Sequence, residues 1–250
     1  MHATELELLA IQAQPTFDPR GRIIGSYGVT IACTEEGQAI WIGAELPDEL
    51  AGELAATFGR AASASRPDAP PPALEACARL LETPGHPLQR FAGPSFVIPP
   101  DTHFASAARI ARSDRSDRDA LRAANPGNWL AIEWDELLDG RLGPWAIATE
   151  RERIVSICHT PGPVSDRGAE CGVWTLPAAR GRGHAAATTA AWAAIMQPTG
   201  RHLFYSTDAD NRSSQQVARR LRLRPLGWTW RLARPRHEPA VHPLSSLRHR

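Results

Sequence analysis

A short run of arginine and glycine between a strand pattern and a helix pattern constrains the fold of this chain more than any other feature. The run is Arg180-Gly-Arg-Gly-His-Ala185; residues 169–175 before it favour a strand, and the Ala-rich stretch after it predicts a helix to Met196. A glycine-containing turn at a helix start exposes backbone N–H groups that have no partner within the helix. These donors and the positive end of the helix bind a phosphate or pyrophosphate, and glycine lets the backbone approach it closely.

The composition excludes the commonest phosphate-binding loop. All 28 basic residues among the 250 are arginine, so the Gly-Lys-Ser/Thr of a Walker loop does not occur. The dinucleotide fingerprint requires a third glycine where Ala186 stands. A surface turn without a ligand remains an alternative for the run taken alone.

The elements around the turn are predicted from apolar periodicity and turn residues. In order they are a strand at 108–112, a helix at 113–125, three strands at 144–149, 154–159 and 169–175, the glycine turn, a helix to 196, a strand at 203–207, a helix at 211–223 and a strand at 227–232.

This order and two motifs resemble the GCN5-related N-acetyltransferase (GNAT) family. Arg180–Ala185 matches the family's R/Q-x-x-G-x-G/A motif, residues 170–175 are similar to its fourth strand, and Asn211-Arg-Ser-Ser214 resembles its N-x-x-S/A signature. The resemblance covers roughly the last 140 residues. It implies an α+β fold with α/β/α layers, in which helices flank a mixed, mostly antiparallel twisted sheet.

The resemblance also implies a cofactor site for acetyl-CoA or another acyl-CoA, without a metal. The backbone of the glycine turn would hold the pyrophosphate, Val173 and Thr175 would pair with the pantetheine arm, and Asn211 and Ser214 would lie near that arm. The turn residues with this role are Arg180, Gly181, Arg182, Gly183, His184 and Ala185.

The resemblance suggests Glu170 as the base that removes a proton from the acceptor amine. Strand alternation puts Glu170, Gly172 and Trp174 on one face, and a glutamate at an exposed strand end is the alternative. Family members often carry a tyrosine seven residues after the helix-starting Asn to protonate the leaving thiolate, but this chain has Ala218 there. The general acid is therefore unassigned, and Tyr205 is the tyrosine nearest in sequence.

The first 102 residues predict a smaller α+β domain of unknown role. A strand within 22–34 and a partner at 39–42 favour a hairpin. Pro47 begins a helix that is expected to end at Gly59, and Leu74, Cys77 and Leu81 share one face of a second helix. The predicted domains are 1–102, an acyltransferase domain at 103–235 and a flexible tail at 236–250.

Charge and composition limit the classes of molecule that the chain is expected to bind. Residues 1–100 carry a net charge of −6, residues 101–200 of −1 and residues 201–250 of +8, which suggests that the C-terminal part meets an anion. The total of +1 disfavours nucleic acid as a partner. No apolar run is long enough to cross a membrane, no signal-peptide pattern opens the chain, and the four cysteines form no CxxC pair, so we expect a cytoplasmic protein.

The predicted function is an acyl-CoA-dependent N-acyltransferase that transfers acetyl to a primary amine of a small molecule or peptide by direct attack on the thioester. The alternative is a non-catalytic acyl-CoA-binding or interaction protein, which Ala218 favours. The identity of the amine, the acyl chain length and a homodimeric state stay open.

Overall fold

The computed structural model of the chain describes residues 3–61, 66–82, 87–115 and 118–234. The helices are α1 Glu5–Ala13, α2 Asp48–Ala61, α3 Pro72–Leu81, α4 Asp119–Arg122, α5 Ala131–Leu138, α6 His184–Met196 and α7 Arg212–Arg220. The strands are β1 Tyr27–Cys33, β2 Gln38–Ile42, β3 Gln89–Val97, β4 Arg109–Arg112, β5 Trp145–Glu150, β6 Arg153–His159, β7 Gly168–Glu170, β8 Gly172–Thr175, β9 His202–Ser206 and β10 Arg224–Ala233.

The strands form two sheets. The larger has the order β2-β1-β10-β3-β9-β7, and every pairing in it is antiparallel except that of β7 with β9. The smaller is an antiparallel sheet of order β4-β5-β6-β8. The α+β class and the mostly antiparallel sheets flanked by helices are therefore confirmed.

Alternating side chains of the larger sheet pack against helices on its two faces. On one face Val29 and Ile31 of β1 pack with α2 and α3, through residues such as Leu54 and Cys77. On the other face, Leu8, Leu9 and Ile11 of α1 pack against apolar residues of β1, β9 and β10. Because α1 is short, it covers only part of that face.

The smaller sheet packs between α6 and α5. Ala146 and Cys158 belong to the cluster that contains α6, while Trp145, Ile147 and Ile157 pack against Trp134, Leu137 and Leu138 of α5. Within the described part of the chain, no helix is both long and apolar enough to cross a lipid bilayer.

Two helix predictions are wrong in extent. The helix expected at 113–125 is reduced to the four residues of α4, because Ser113 is occupied with the sheet: its N–H donates to Trp145 O at 3.0 Å and its hydroxyl accepts from Trp145 N at 3.2 Å. The stop expected at Gly59 also fails, since α2 continues to Ala61. The sequence analysis missed α5 entirely.

The N-terminal strands share a sheet with the C-terminal part. β1 pairs with β10, and β3 lies between β10 and β9. The domain boundary near residue 102 stays a prediction, but the two sides of it are joined by backbone hydrogen bonds. The predicted tail at 236–250 lies outside the described residues.

Candidate functional site

The strand expected at 169–175 divides between the two sheets. β7 pairs in parallel with β9, and Glu170 lies opposite Phe204. After Cys171 the chain leaves this sheet, and β8 pairs with β6 instead. A gap therefore opens between β8 and β9. The last backbone hydrogen bond before the gap runs from Cys171 N to Phe204 O at 3.1 Å.

The edge of β8 that faces this gap has free backbone groups. Leu176 N donates to Val155 O at 2.9 Å, so Leu176 points towards β6. Because backbone groups of successive strand residues point to opposite sides, Trp174 and Gly172 also point towards β6, while Val173 and Thr175 point into the gap. An extended chain with amide groups could pair with them as an added strand.

The glycine turn presents a second set of free donors. Gly181 has φ +80° and Gly183 has φ +91°, both in the left-handed region that favours glycine. No side chain in the described part of the chain caps α6, and the first hydrogen bond of the helix runs from Ala187 N to Gly183 O. The N–H groups of His184 and Ala185 therefore have no helical acceptor. These unpaired donors fit a pyrophosphate group.

Arg182 differs from the rest of the turn. Its guanidinium donates to Glu150 Oε1 at 2.7 Å, and it does not line the cleft described below. His184 is 3% exposed, and its Nε2 lies 3.2 Å from the same carboxylate oxygen. The structure thus ties Arg182 to β5 and away from an anion at the turn.

Arg220 of α7 reaches the turn from the other side. Its Nη2 donates to Gly181 O at 3.1 Å, and its side chain is exposed. The excess of positive charge after residue 200 was the sequence signal for such a residue, but the sequence did not distinguish Arg220 from its neighbours.

A continuous cleft of about 2370 Å³ joins the gap, the turn and the start of α7. Of the residues singled out from the sequence, the structure brings the following to this cleft: Glu170, Val173, Thr175, Arg180, Gly181, Gly183, His184, Ala185, Asn211 and Ser214.

Glu170 lies on the cleft face of β7. Its carboxylate accepts a hydrogen bond from the Ser206 hydroxyl of β9. The alternation across Cys171 holds, since Ala169 and Cys171 pack towards α6 and Trp174 packs on the opposite side with α5. Glu170 therefore faces the cleft, on the side of the sheet opposite to α6.

The start of α7 has a local structural role. Asn211 Oδ1 accepts from Ser214 N at 3.0 Å and so caps the helix. The Ser214 side chain bonds the Tyr205 hydroxyl, and burial raises the pKa of Tyr205, partly offset by that bond. Ala218 is 2% exposed in the same cluster as Tyr205. The position on α7 where family members often carry a tyrosine is thus occupied by a buried alanine.

His159 also lines the cleft, and the sequence did not indicate it as a site residue. It lies opposite Gly172 in the β6–β8 pairing, and its ring meets Trp129 edge-on at 5.2 Å. Burial lowers the pKa of His159 to about 4, partly offset by the Thr160 backbone, so the imidazole is neutral at pH 7. The preceding residue, Cys158, packs on the opposite face of β6, in the cluster that contains α6.

Comparison with known proteins agrees with this geometry. The sequence profile described as "Acetyltransferase (GNAT) domain" matches residues 99–224, which is half of the chain. The chain belongs to the GNAT family. The match contains the split strand, the glycine turn, α6, β9 and α7, and the family assignment supports transferase activity for this domain.

Solved GNAT structures resemble the chain at low sequence identity. One from Kribbella flavida is 15% identical, with a TM-score of 0.48, and the alignment covers 94% of this chain and 97% of that one. One from Sphaerobacter thermophilus is 16% identical, with a TM-score of 0.47, covering 91% and 81%. A GNAT-like protein from Streptococcus suis is 19% identical, with a TM-score of 0.44, covering 64% and 68%. The search of curated proteins gave no match.

The GNAT family generally uses acetyl-CoA as co-substrate, and the free donors of the turn and of β8 fit its pyrophosphate and pantetheine amides. Among the residues that the structure describes, no group of three or more His, Cys, Asp or Glu side chains is arranged to hold a metal ion.

Proposed function

We propose that the chain is an acyl-CoA-dependent N-acyltransferase that transfers acetyl from acetyl-CoA to a primary amine. The observation that carries this proposal is the presence, in one cleft, of the free edge of β8, the unpaired N–H groups of the glycine turn and the carboxylate of Glu170. When bound there, acetyl-CoA supplies the activated acyl group as a thioester.

The backbone positions the thioester. Val173 and Thr175 pair with the amides of the pantetheine arm, and the N–H groups from Gly181 to Ala185 hold the pyrophosphate. An N–H group of β8 near the split polarises the thioester carbonyl, as in an oxyanion hole. These contacts fix the carbonyl in front of the gap, on the side where Glu170 lies.

Glu170 acts as the general base for the acceptor amine. Its carboxylate accepts a proton from the ammonium form, directly or through water, and the free amine then attacks the thioester. Ser206 orients the carboxylate through its hydrogen bond. As the C–S bond breaks, the thiolate of coenzyme A takes up a proton from solvent or from the acid form of Glu170. The nitrogen of the new amide gives up its surplus proton to solvent or to the Glu170 carboxylate.

Glu170→Gln tests the role of the carboxylate. We expect kcat to fall by about 10²- to 10⁴-fold, while the acetyl-CoA dissociation constant from isothermal titration changes less than twofold. Glu136→Gln is the matched control, because Glu136 lines the same cleft but belongs to α5 and not to the split strand. It is expected to keep kcat within threefold.

Two results would separate the competing functions. Binding of acetyl-CoA without thiol release on a broad amine panel would indicate a non-catalytic acyl-CoA-binding protein, the reading that Ala218 favours. Absence of binding would overturn both.

A further inference from the structure

The cleft continues beyond Glu170 over a polar part of the larger sheet. We call this surface the polar floor; it consists of Thr30 of β1, Thr229 and Arg231 of β10, Ser95 of β3 and Ser206 of β9. Thr30 lies opposite Arg231, and Ser95 lies opposite Ser206, so the floor is continuous across four neighbouring strands. At its near end Ser206 bonds Glu170.

Two hydroxyls of the polar floor are buried without a partner. Thr30 is 4% exposed and Ser95 is 1% exposed, and neither hydroxyl oxygen has a hydrogen bond within the described chain. A buried polar group without a partner costs free energy, whereas hydrophobic residues occupy the corresponding positions under α1. Hydroxyls that face a cleft in this state can be satisfied by a polar ligand.

Arg231 supplies the positive charge of the polar floor. Its guanidinium lies 5.3 Å from the centre of the Tyr27 ring, and that ring in turn meets Phe91 edge-on at 5.8 Å. No carboxylate among the described residues forms an ion pair with Arg231. The aromatic contacts hold the guanidinium on the cleft face and leave its forked N–H donors available for an anion.

The ends of the polar floor are far apart. Arg231 and Glu170 are separated by three strand spacings of about 4.8 Å each, and Arg231 pairs with Phe91, four residues along β3 from Ser95. Ser206, which bonds Glu170, is two strand spacings and four residues from Arg231, so the carboxylate and the guanidinium are on the order of 15–20 Å apart. Hydrogen bonds of about 3 Å at each end leave on the order of 10–15 Å for the bound molecule. A molecule that contacts both must be extended, with about four residues if it is a peptide.

We propose that Arg231 and the polar floor bind the carboxylate end and the polar backbone of an extended acceptor, so that the acceptor is an amine with a distant carboxylate, of the class of short peptides. This inference rests on the proposed N-acyltransferase function and names the substrate class for the same cleft. Strands β1 and β3 supply two of the five residues of the polar floor, which gives the N-terminal hundred residues a role in choosing the acceptor.

The test compares matched acceptors that differ only in the charge of the far end. Glycine and alanine peptides of one to five residues are supplied as free acids and as C-terminal amides with saturating acetyl-CoA, and thiol release gives kcat/KM. We expect the acids of four and five residues to be preferred at least tenfold over their amides, with little preference at one residue. In Arg231→Gln the preference should vanish while activity on the amides persists.

Control variants separate recognition from folding. Arg109→Gln removes an exposed arginine of β4 and should leave the preference intact. Thr30→Val and Ser95→Ala should raise KM for the acid peptides several-fold without lowering the melting temperature, because neither hydroxyl has a partner to lose. A lowered melting temperature with unchanged KM would contradict the proposal.

The remaining outcomes distinguish a failure of the carboxylate subsite from a failure of the N-acyltransferase function. Equal use of acids and amides, or a preference that survives in Arg231→Gln, overturns the carboxylate subsite and leaves the acyltransferase function in place. Binding of acetyl-CoA without turnover of any peptide also overturns the subsite, since peptides are the class it names. Lack of acetyl-CoA binding overturns the acyltransferase function itself.

Discussion

The two ends of the cleft would recognise their ligands by different means. At the glycine turn and along β8 the available groups are backbone N–H and C=O groups, contributed by one stretch of chain between residues 171 and 185. On the polar floor the available groups are side chains, contributed by strands that are distant in sequence. A ligand shared by many relatives can be held by local backbone geometry, whereas a ligand particular to one protein needs side chains assembled from several elements.

The largest expected effect tests whether the N-terminal strands belong to the same cooperative unit as the cleft. In Gly93→Ala, the added Cβ would lie 1.8 Å from Thr207 O, a backbone atom that cannot move aside easily. We expect a loss of at least about 3 kcal/mol in the free energy of unfolding, measured by denaturant titration, and a single transition.

Gly52→Ala is the matched control in the same N-terminal region. Gly52 lies exposed inside α2 with nothing within 4 Å of an added Cβ, so the substitution should stabilise the protein by about 0.5–1 kcal/mol. Two separate unfolding transitions in Gly93→Ala would show that residues before 102 unfold independently.

A smaller effect is expected on the pH dependence of stability, through His159. This residue lies opposite Gly172, where the backbone end of the cleft meets the polar floor end. The folded-state pKa of about 4 lies below the ordinary value of 6.5, so the unfolded chain binds this proton first as the pH falls. The neutral imidazole therefore contributes its full share to the free energy of unfolding above about pH 6.5, and this share is lost as the pH falls towards 4. At pH 5 the free energy of unfolding is lower by about 2 kcal/mol than at pH 7.5 because of this residue.

Thermal unfolding at pH 7.5 and pH 5 measures this dependence. In His159→Gln the drop in stability between the two values should shrink by that amount, whereas a substitution of the exposed His103 should leave the drop unchanged. An identical drop in His159→Gln would show that the imidazole is protonated freely in the folded protein.

The smallest of the three effects tests the backbone end alone. Gly183→Ala places a Cβ 3.0 Å from the Phe104 ring at φ +91°, which distorts the turn that presents the N–H groups. We expect acetyl-CoA affinity to fall about tenfold, or about 1.4 kcal/mol, with the acceptor preference unchanged.

Gly200→Ala provides the comparison for Gly183→Ala. Gly200 also has a left-handed backbone, with φ +70°, but an added Cβ there would have nothing within 4 Å. The two variants should lose similar stability from strain, about 1 kcal/mol, and only Gly183→Ala should lose affinity. Equal affinities would mean that the turn does not hold the cofactor.

The sequence signals for the backbone end of the cleft are local. The glycines of the turn, the strand before it and the Asn cap of α7 are all visible within a few neighbouring residues, and the structure places them in one cleft. Even the split of the predicted strand after Glu170 left the alternation of its side chains intact. The sequence did not show that Arg182 bonds Glu150, because the partner lies 32 residues away.

The polar floor could not be predicted because it depends on strand order. Nothing local to Ser95 or Thr30 shows that β3 is inserted between β9 and β10, or that β1 pairs with the last strand. Isolated Ser and Thr residues in strands are ordinary, and a single Arg231 among the many C-terminal arginines carries no sequence signal. The helix expected at 113–125 failed for the same reason, since Ser113 bonds a strand 32 residues away.

The position of β10 in the larger sheet has a consequence for how the protein is made. Among the described residues β10 is the last strand in sequence, yet it lies between β1 and β3 and pairs with both. While the ribosome is still synthesising residues before 224, β1 and β3 each lack a neighbour on one side and expose unpaired strand edges. The larger sheet can close only after β10 has been synthesised, so the nascent chain must keep β1 and β3 soluble until residue 233 has emerged from the ribosome.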